Sequence, residues 1–374
     1  MKTWIRTALA GSMALALAAC GGGGPAGTTG PGPDDIPHEV TAEYTPGEVS
    51  AAPSIEQARA NVVASTLAGT GVQGGEDGAG AGATFAAPEG LCVASDGTLY
   101  VTEPYAYRIR KITPGGQVST LAGGLSDQPG RADGLGRQAQ FMGPKDAAIA
   151  PNGDLYVADF DAVRRVSPAG QVSTLSLRNP DGSPYDPVEL FGIAIDASSN
   201  LYLSSTYWID RVTPQGVVTR YAGNEGRGFA DGPGTRAYFN LPRKLAFDGA
   251  GNLYVADFGN LRIRRIAPDR TVKTIAGNGI LGYTDGDAAH SRLNFPMGLA
   301  ADASGRVLVA DTYNHSVREI GQDGRIRTVA GNNWPGFADG TGAVQFRRPG
   351  DIALSPDGAI VVADIDNARI RILR

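Results

Sequence analysis

The chain has 374 residues, with 33 Lys or Arg against 38 Asp or Glu and a formal net charge of −5. An acidic chain is a poor match for a phosphate backbone, so nucleic acid is excluded as the expected partner. Two cysteines and three histidines give no disulfide framework and argue against a zinc site built on three histidines.

Residues 1–19, MKTWIRTALAGSMALALAA, place Lys2 and Arg6 ahead of an apolar run too short to span a bilayer comfortably, and so read as a secretion signal peptide. The run ends in Leu17-Ala18-Ala19-Cys20, which resembles a bacterial lipobox; the resemblance implies that Cys20 carries a lipid. By resemblance to Gram-negative lipoproteins, Gly21, a residue other than Asp after the cysteine, implies sorting to the outer membrane. Residues 20–60, opening with four glycines and rich in Pro, Gly and Ser, predict a flexible tether. Removal of Lys2 and Arg6 with the signal leaves 31 bases against 38 acids, a net charge of −7. These features predict a monomer anchored by lipid in the bacterial cell envelope.

From residue 61 to 374 the sequence repeats. Copies aligned on Leu99, Leu155, Leu201, Leu253, Val307 and Ile360 recur at spacings of 46 to 56 residues. The copy best read by eye predicts strands at 252–257 (NLYVAD), 262–266 (RIRRI) and 271–277 (TVKTIAG), preceded by an inner strand like GLAAD at 298–302. Such a four-stranded sheet cannot cover its own faces, but six arranged radially can, so the pattern predicts an all-β, six-bladed β-propeller. The sixth copy has a third strand, 368–373, and no fourth after it, whereas Val63 to Gly69 (VASTLAG) match a fourth strand with no partners before them. That N-terminal strand is therefore expected to complete blade six and close the ring.

The elements GNLYVAD…N-x-RIR-x-I-x-P and V-x-T-x-AG…DG…F-x-x-P resemble bacterial NHL repeats over about residues 60–374. The resemblance implies the propeller fold; propellers of this kind serve as scaffolds, as sensors and, less often, as enzymes.

Several residues recur in every copy but the third. An acid ends the second strand (Glu103, Asp159, Asp257, Asp311, Asp364) and an arginine lies in the third (Arg110, Arg164, Arg264, Arg318, Arg371), while blade three has Ser205 and Asp210. The paired loss predicts contact across the hairpin, worth ~0.5 kcal/mol if exposed and more if buried. Asp77, Asp133, Asp231, Asp285 and Asp339 each precede Gly and are expected to shape turns. Phe85, Phe141, Phe239, Phe295 and Phe346 are expected to wedge between blades, and Cys92, in a column shared with Ala246 and Ala300, to be a small buried hydrophobe.

Two functions compete. A binding scaffold would present its loop face to an envelope protein or a glycan through Tyr105, Tyr107, Phe160, Tyr207, Trp208, Phe258, Tyr313 and Trp334, aromatics with blade three as the most divergent copy. Alternatively, a resemblance to lactonase-like propellers implies a metal-dependent hydrolase or lyase, with acids at the channel mouth, Glu89, Asp146 and Asp351, holding a divalent metal. Lys145, Arg243 and Lys244 stand at similar positions and would oppose a cation. The scaffold is the favoured expectation, with no catalytic residue assigned and no cofactor required.

Overall fold

The computed structural model describes residues 62–124 and 128–374; the expected signal peptide, Cys20 and the expected tether lie outside the described residues. Val, Ile, Leu and Tyr fill the predicted strands, which form six antiparallel sheets. In blade four the strands run outward as Pro242–Phe247, Leu253–Asp257, Arg262–Ile266 and Thr271–Ala276. Four sheets gain a fifth strand of two residues, at Gly78–Ala79, Gly134–Leu135, Gly232–Pro233 and Gly340–Thr341, where the Asp-Gly loop folds back on the fourth strand. Two residues carry no periodic signal, so these edges are invisible in the sequence.

Closure follows the expectation. The last sheet runs Gly340–Thr341, Val63–Ala68, Arg369–Leu373, Ile360–Asp364, Pro349–Leu354, so the first and last strands of the propeller are neighbours. Ala64 lies opposite Leu373 and Thr66 opposite Arg371. The core sits between blades rather than within them. One apolar cluster joins Phe85, Leu91 and Val101 of blade one to Ala353, Val361 and Ile370 of blade six, and corresponding clusters fill the other interfaces. Each fully buried aliphatic side chain contributes ~1.5–3 kcal/mol, so every blade depends on both neighbours.

The recurrent charges are interior, not exposed. Arg264 Nη1 lies 2.6 Å from Asp257 Oδ2 and its Nη2 2.6 Å from Asp231 Oδ1, with neither Arg264 nor Asp257 accessible. The loop aspartate also accepts from Thr274 of the fourth strand, through the backbone N–H at 3.0 Å and the hydroxyl at 3.1 Å. The same acid, arginine, loop aspartate and threonine meet in blades one, two, five and six. The Asp-Gly aspartates thus tie loop to sheet and do more than shape a turn. In blade six the threonine is Thr66 of the N-terminal strand, so Asp339 joins the two ends of the ring. Breaking such a buried pair by removing one partner costs ~3–5 kcal/mol, well above the exposed figure.

Four of the five phenylalanines behave as wedges: Phe85, Phe141, Phe239 and Phe346 are fully buried, each under its blade's arginine at 5.0 to 5.2 Å. Phe295 is a correction. The wedge position of blade five holds Leu293, 0% exposed; Phe295 lies two residues on, at a left-handed backbone with φ 50°, and joins the loop face. Blade three rebuilds its lost pair with other residues. Asp210 accepts from Trp208 Nε1 at 2.8 Å, Tyr185 Oη at 2.5 Å and Arg220 Nε at 3.0 Å, and the Arg220 guanidinium lies 4.0 Å from the Trp208 ring centre.

Candidate functional site at the channel mouth

Four of the six inner strands begin with a proline and that of blade one comes shortly after Pro88; proline is tolerated at a strand start because no ladder bond needs its missing N–H. The residues after it make a rim: Glu89, Lys145, Phe191, Arg243, Met297 and Gly350 in blade order. One residue further along come Gly90, Asp146, Gly192, Lys244, Gly298 and Asp351, glycine alternating with charge. Packing demands the alternation. A Cβ at Gly192 would sit 2.3 Å from the Arg243 carbonyl oxygen, and one at Gly298 would sit 2.4 Å from the Asp351 Cα. Glycine lets each charged neighbour come in against the backbone beside it.

Lys244 crosses the channel. Its Nζ lies 2.5 Å from Asp146 Oδ1, 2.7 Å from Asp351 Oδ2 and 3.0 Å from the Leu91 carbonyl oxygen, which engages all three ammonium protons. Each carboxylate also accepts backbone N–H groups. Asp146 takes those of Ala147 and Ile193, at 2.8 and 3.0 Å, and Asp351 takes those of Ile352 and Leu91, both at 2.8 Å. Blades two, four and six supply the ions, and blades one and three each donate a backbone N–H to a carboxylate of a neighbouring blade. Burial raises the Asp146 and Asp351 pKa values, Asp351 to about 7, against the lowering pull of Lys244. Burial lowers the Lys244 pKa, but the two aspartates more than offset it and the net shift is upward. The lysine therefore stays cationic.

This arrangement bears on a metal. The two aspartates at the mouth that would ligate a divalent cation already hold an ammonium, and among the described residues no three His, Cys, Asp or Glu side chains converge. The residues present do not fit a metal at this position. Past Lys244 the inner strands line an apolar cavity of about 340 Å³, with Cys92, Ala148, Ala194, Ala246, Ala300 and Ala353 around it. Cys92 is half-buried at this channel rather than sealed in the core. Burial pushes its thiol up to about 12, so it carries no nucleophilic thiolate at neutral pH.

On the outer side the rim surrounds a pocket of about 20 Å³ between Glu89, Lys145, Phe191 and Arg243, space for a water-sized group. The Arg243 guanidinium lies against both the Phe191 and Phe258 rings, 4.7 and 4.6 Å from their centres. From Phe258 the aromatic contact continues through Phe295 at 4.9 Å to Tyr313 at 5.6 Å, where Arg348 approaches the ring. On the other side, Lys145 lies 5.7 Å from the Tyr105 ring.

Of the aromatics predicted for the loop face, Phe258, Tyr313 and Tyr105 border the rim in this way. Phe160 and Trp334 are exposed, at 41% and 49%. Tyr107 packs on the apolar cluster between blades one and two. Tyr207 is half-buried, and Trp208 is committed to Asp210. The six predicted channel-mouth residues do come together. Sequence reasoning missed Phe191, Phe295 and Arg348, although the rim position of Phe191 could have been read by counting from each inner strand.

The profile described as NHL repeat matches residues 239–266, 293–320 and 346–373, and the profile described as Teneurin NHL domain matches 126–208. The chain is 28% identical over 303 residues to "Protein SUPPRESSOR OF QUENCHING 1, chloroplastic" of Arabidopsis thaliana, covering 70% of this chain and 28% of that protein. It is 27% identical over 333 residues to "NHL repeat-containing protein 2" of Bos taurus, covering 74% of this chain and 44% of the relative. It thus spans less than half the length of these curated relatives. Among solved structures, an auxiliary nutrient binding protein from Bacteroides thetaiotaomicron superposes with a TM-score of 0.66 at 15% identity, covering 84% of this chain and 76% of the other. A streptogramin B lyase superposes with a TM-score of 0.52 at 15% identity, covering 85% and 99%. At these identities the likeness is one of fold.

Proposed function

We propose that this propeller is a binding module that holds an envelope protein or a glycan over the rim of its channel, and that a lipid on Cys20 tethers it at the outer membrane of a bacterial cell. The observation that carries the reading is the channel mouth: Lys244, Asp146 and Asp351 satisfy one another across it, leaving a shallow, rigid rim of cationic and aromatic side chains above a sealed axis. A rim of this kind suits recognition by stacking and polar contacts. A lactonase-like hydrolase would need carboxylates free for a metal, and here they are engaged. Fold neighbours include both a nutrient-binding protein and a lyase, so the fold alone does not choose between them, and the engaged carboxylates support the binding reading.

The test is a glycan array, run in parallel with capture from envelope extract, using the full-length protein and its Tyr105→Ala/Lys145→Ala variant. Loss of a specific ligand in the variant, with an unchanged melting temperature, supports the reading. A ligand bound equally by the variant, or metal-dependent lactone hydrolysis by the wild type, overturns it.

A further inference from the structure

Among the described residues, the fully buried arginines of this propeller and Lys244 are held by carboxylates. Arg110, Arg164, Arg264, Arg318 and Arg371 each hold two carboxylates, and Lys244 does the same. Arg243 is different. Its side chain is only 18% exposed, yet its sole carboxylate contact among the described residues is Glu89 Oε1 at 3.8 Å, beyond hydrogen-bond reach. Its Nε is buried with no acceptor, as are those of Arg110, Arg164 and Arg318, so the missing carboxylate is what sets Arg243 apart. A guanidinium largely withdrawn from water with unmet donors is costly, and the cost is recovered when a ligand supplies the acceptors.

The geometry suits such a ligand. Phe191 and Phe258 against the guanidinium fix its position, and stacking of this kind leaves the N–H edge free for two-point bonding to a planar oxyanion. The second charge on the same pocket is Lys145, which lies near the Tyr105 ring and has no carboxylate partner among the described residues. The acids beneath do not compete, because Asp146 and Asp351 are engaged by Lys244 and by backbone N–H groups. Glu89, on the opposite side of the ring from Arg243, stands where a ligand's oxyanion would approach the guanidinium.

We infer that the rim pocket is an oxyanion site in which Arg243 and Lys145 grip a carboxylate or phosphate group of the ligand, displacing Glu89. The inference rests on the binding reading above and narrows it to acidic ligands, acidic glycans among them. A pocket of about 20 Å³ holds one oxygen of the anionic group, so the rest of the ligand lies outside on the aromatic arc.

The experiment titrates sodium glucuronate, inorganic phosphate and glucose, at matched ionic strength, into the full-length protein by ligand-observed NMR. Glucuronate, phosphate or both are expected to bind saturably and glucose not at all; the two anions separate a carboxylate site from a phosphate site. Lys145→Met and Arg243→Lys should each weaken anion binding about tenfold, and Glu89→Gln should tighten it about fivefold. Because Glu89→Gln predicts a gain, a folding defect cannot mimic it. Glucose binding as well as glucuronate, no binding of either anion, or anion binding indifferent to all three substitutions would each overturn the inference. None of these outcomes touches the broader reading, which fails if a partner ignores the rim or if the wild type hydrolyses lactones with a metal.

Discussion

Lys244→Met removes one ammonium and leaves two carboxylates behind. Asp146 and Asp351 are each 3% exposed, and the lysine lies 2.5 and 2.7 Å from them. Loss of one partner from a buried ionic group costs ~3–5 kcal/mol, and the cost should be larger at about pH 8 than in acid, because more of the carboxylate charge is then left unpaired. Acidification offers an escape. The Asp351 pKa is already raised to about 7 by burial, from an ordinary value of 3.8. The folded state thus binds its proton more tightly than the unfolded chain, the penalty is fully present above about 7, and it is relieved as pH falls toward 3.8. Without Lys244 the acids lose their strongest lowering influence, so both pKa values rise further and the relief is larger in the variant. Chemical unfolding of the two proteins should therefore give a gap of ~3–5 kcal/mol at about pH 8 that narrows toward about pH 5. Adding Asp146→Asn and Asp351→Asn to Lys244→Met should recover much of the loss. A gap below ~1 kcal/mol at both pH values, or one that widens on acidification, would refute the view that Lys244 is a buried ionic bridge.

The remaining expectations concern closure, blade three and the anchor. Deleting residues 1–70 removes the strand Val63–Ala68 and should lower the melting temperature strongly, while deleting 1–58 should leave it nearly unchanged; equal melts would show that the strand is dispensable. Trp208→Ala takes one donor from buried Asp210 and the ring from Arg220, and should cost ~2–4 kcal/mol of stability; an unchanged denaturation midpoint would return Trp208 to the pool of ligand contacts. Cys20→Ser should move the protein from the membrane to the soluble fraction, and unchanged partitioning with an unlipidated wild-type N-terminus would reject the anchor.

The legible part of this protein was what the chain repeats. Spacing alone exposed the six blades, and the joint loss of acid and arginine at Ser205 and Asp210 signalled that those positions touch, as Asp257 and Arg264 do. Burial of the pairs was not legible, because the covering atoms come from the loop before each blade. Phe295 misled because blade five has Leu293-Asn294-Phe295-Pro296 where other blades put phenylalanine three residues before the proline. Trp208 misled because divergence was read as a ligand site; the hairpin register that places Asp210 opposite Arg220 held the clue to a replacement ion pair. The six residues expected at the mouth line one pocket, but their partnership was not legible. Lys244 meets acids 98 and 107 positions away in sequence, a contact created only when the ring closes.

The shared sheet of blade six decides how the propeller responds to mechanical load. Val63 and Arg374 exchange backbone hydrogen bonds at 2.8 and 3.0 Å, so the first residue of the entering strand lies beside the end of the exiting one. Tension applied through the segment preceding Val63 would open that antiparallel ladder bond by bond from this end instead of shearing the whole strand at once. Peeling would next reach Thr66, held with Arg371 by Asp339, a latch two residues beyond Ala64. A propeller joined to a surface by its N-terminal side would thus give way at its seam first, with the other five blades still folded behind it.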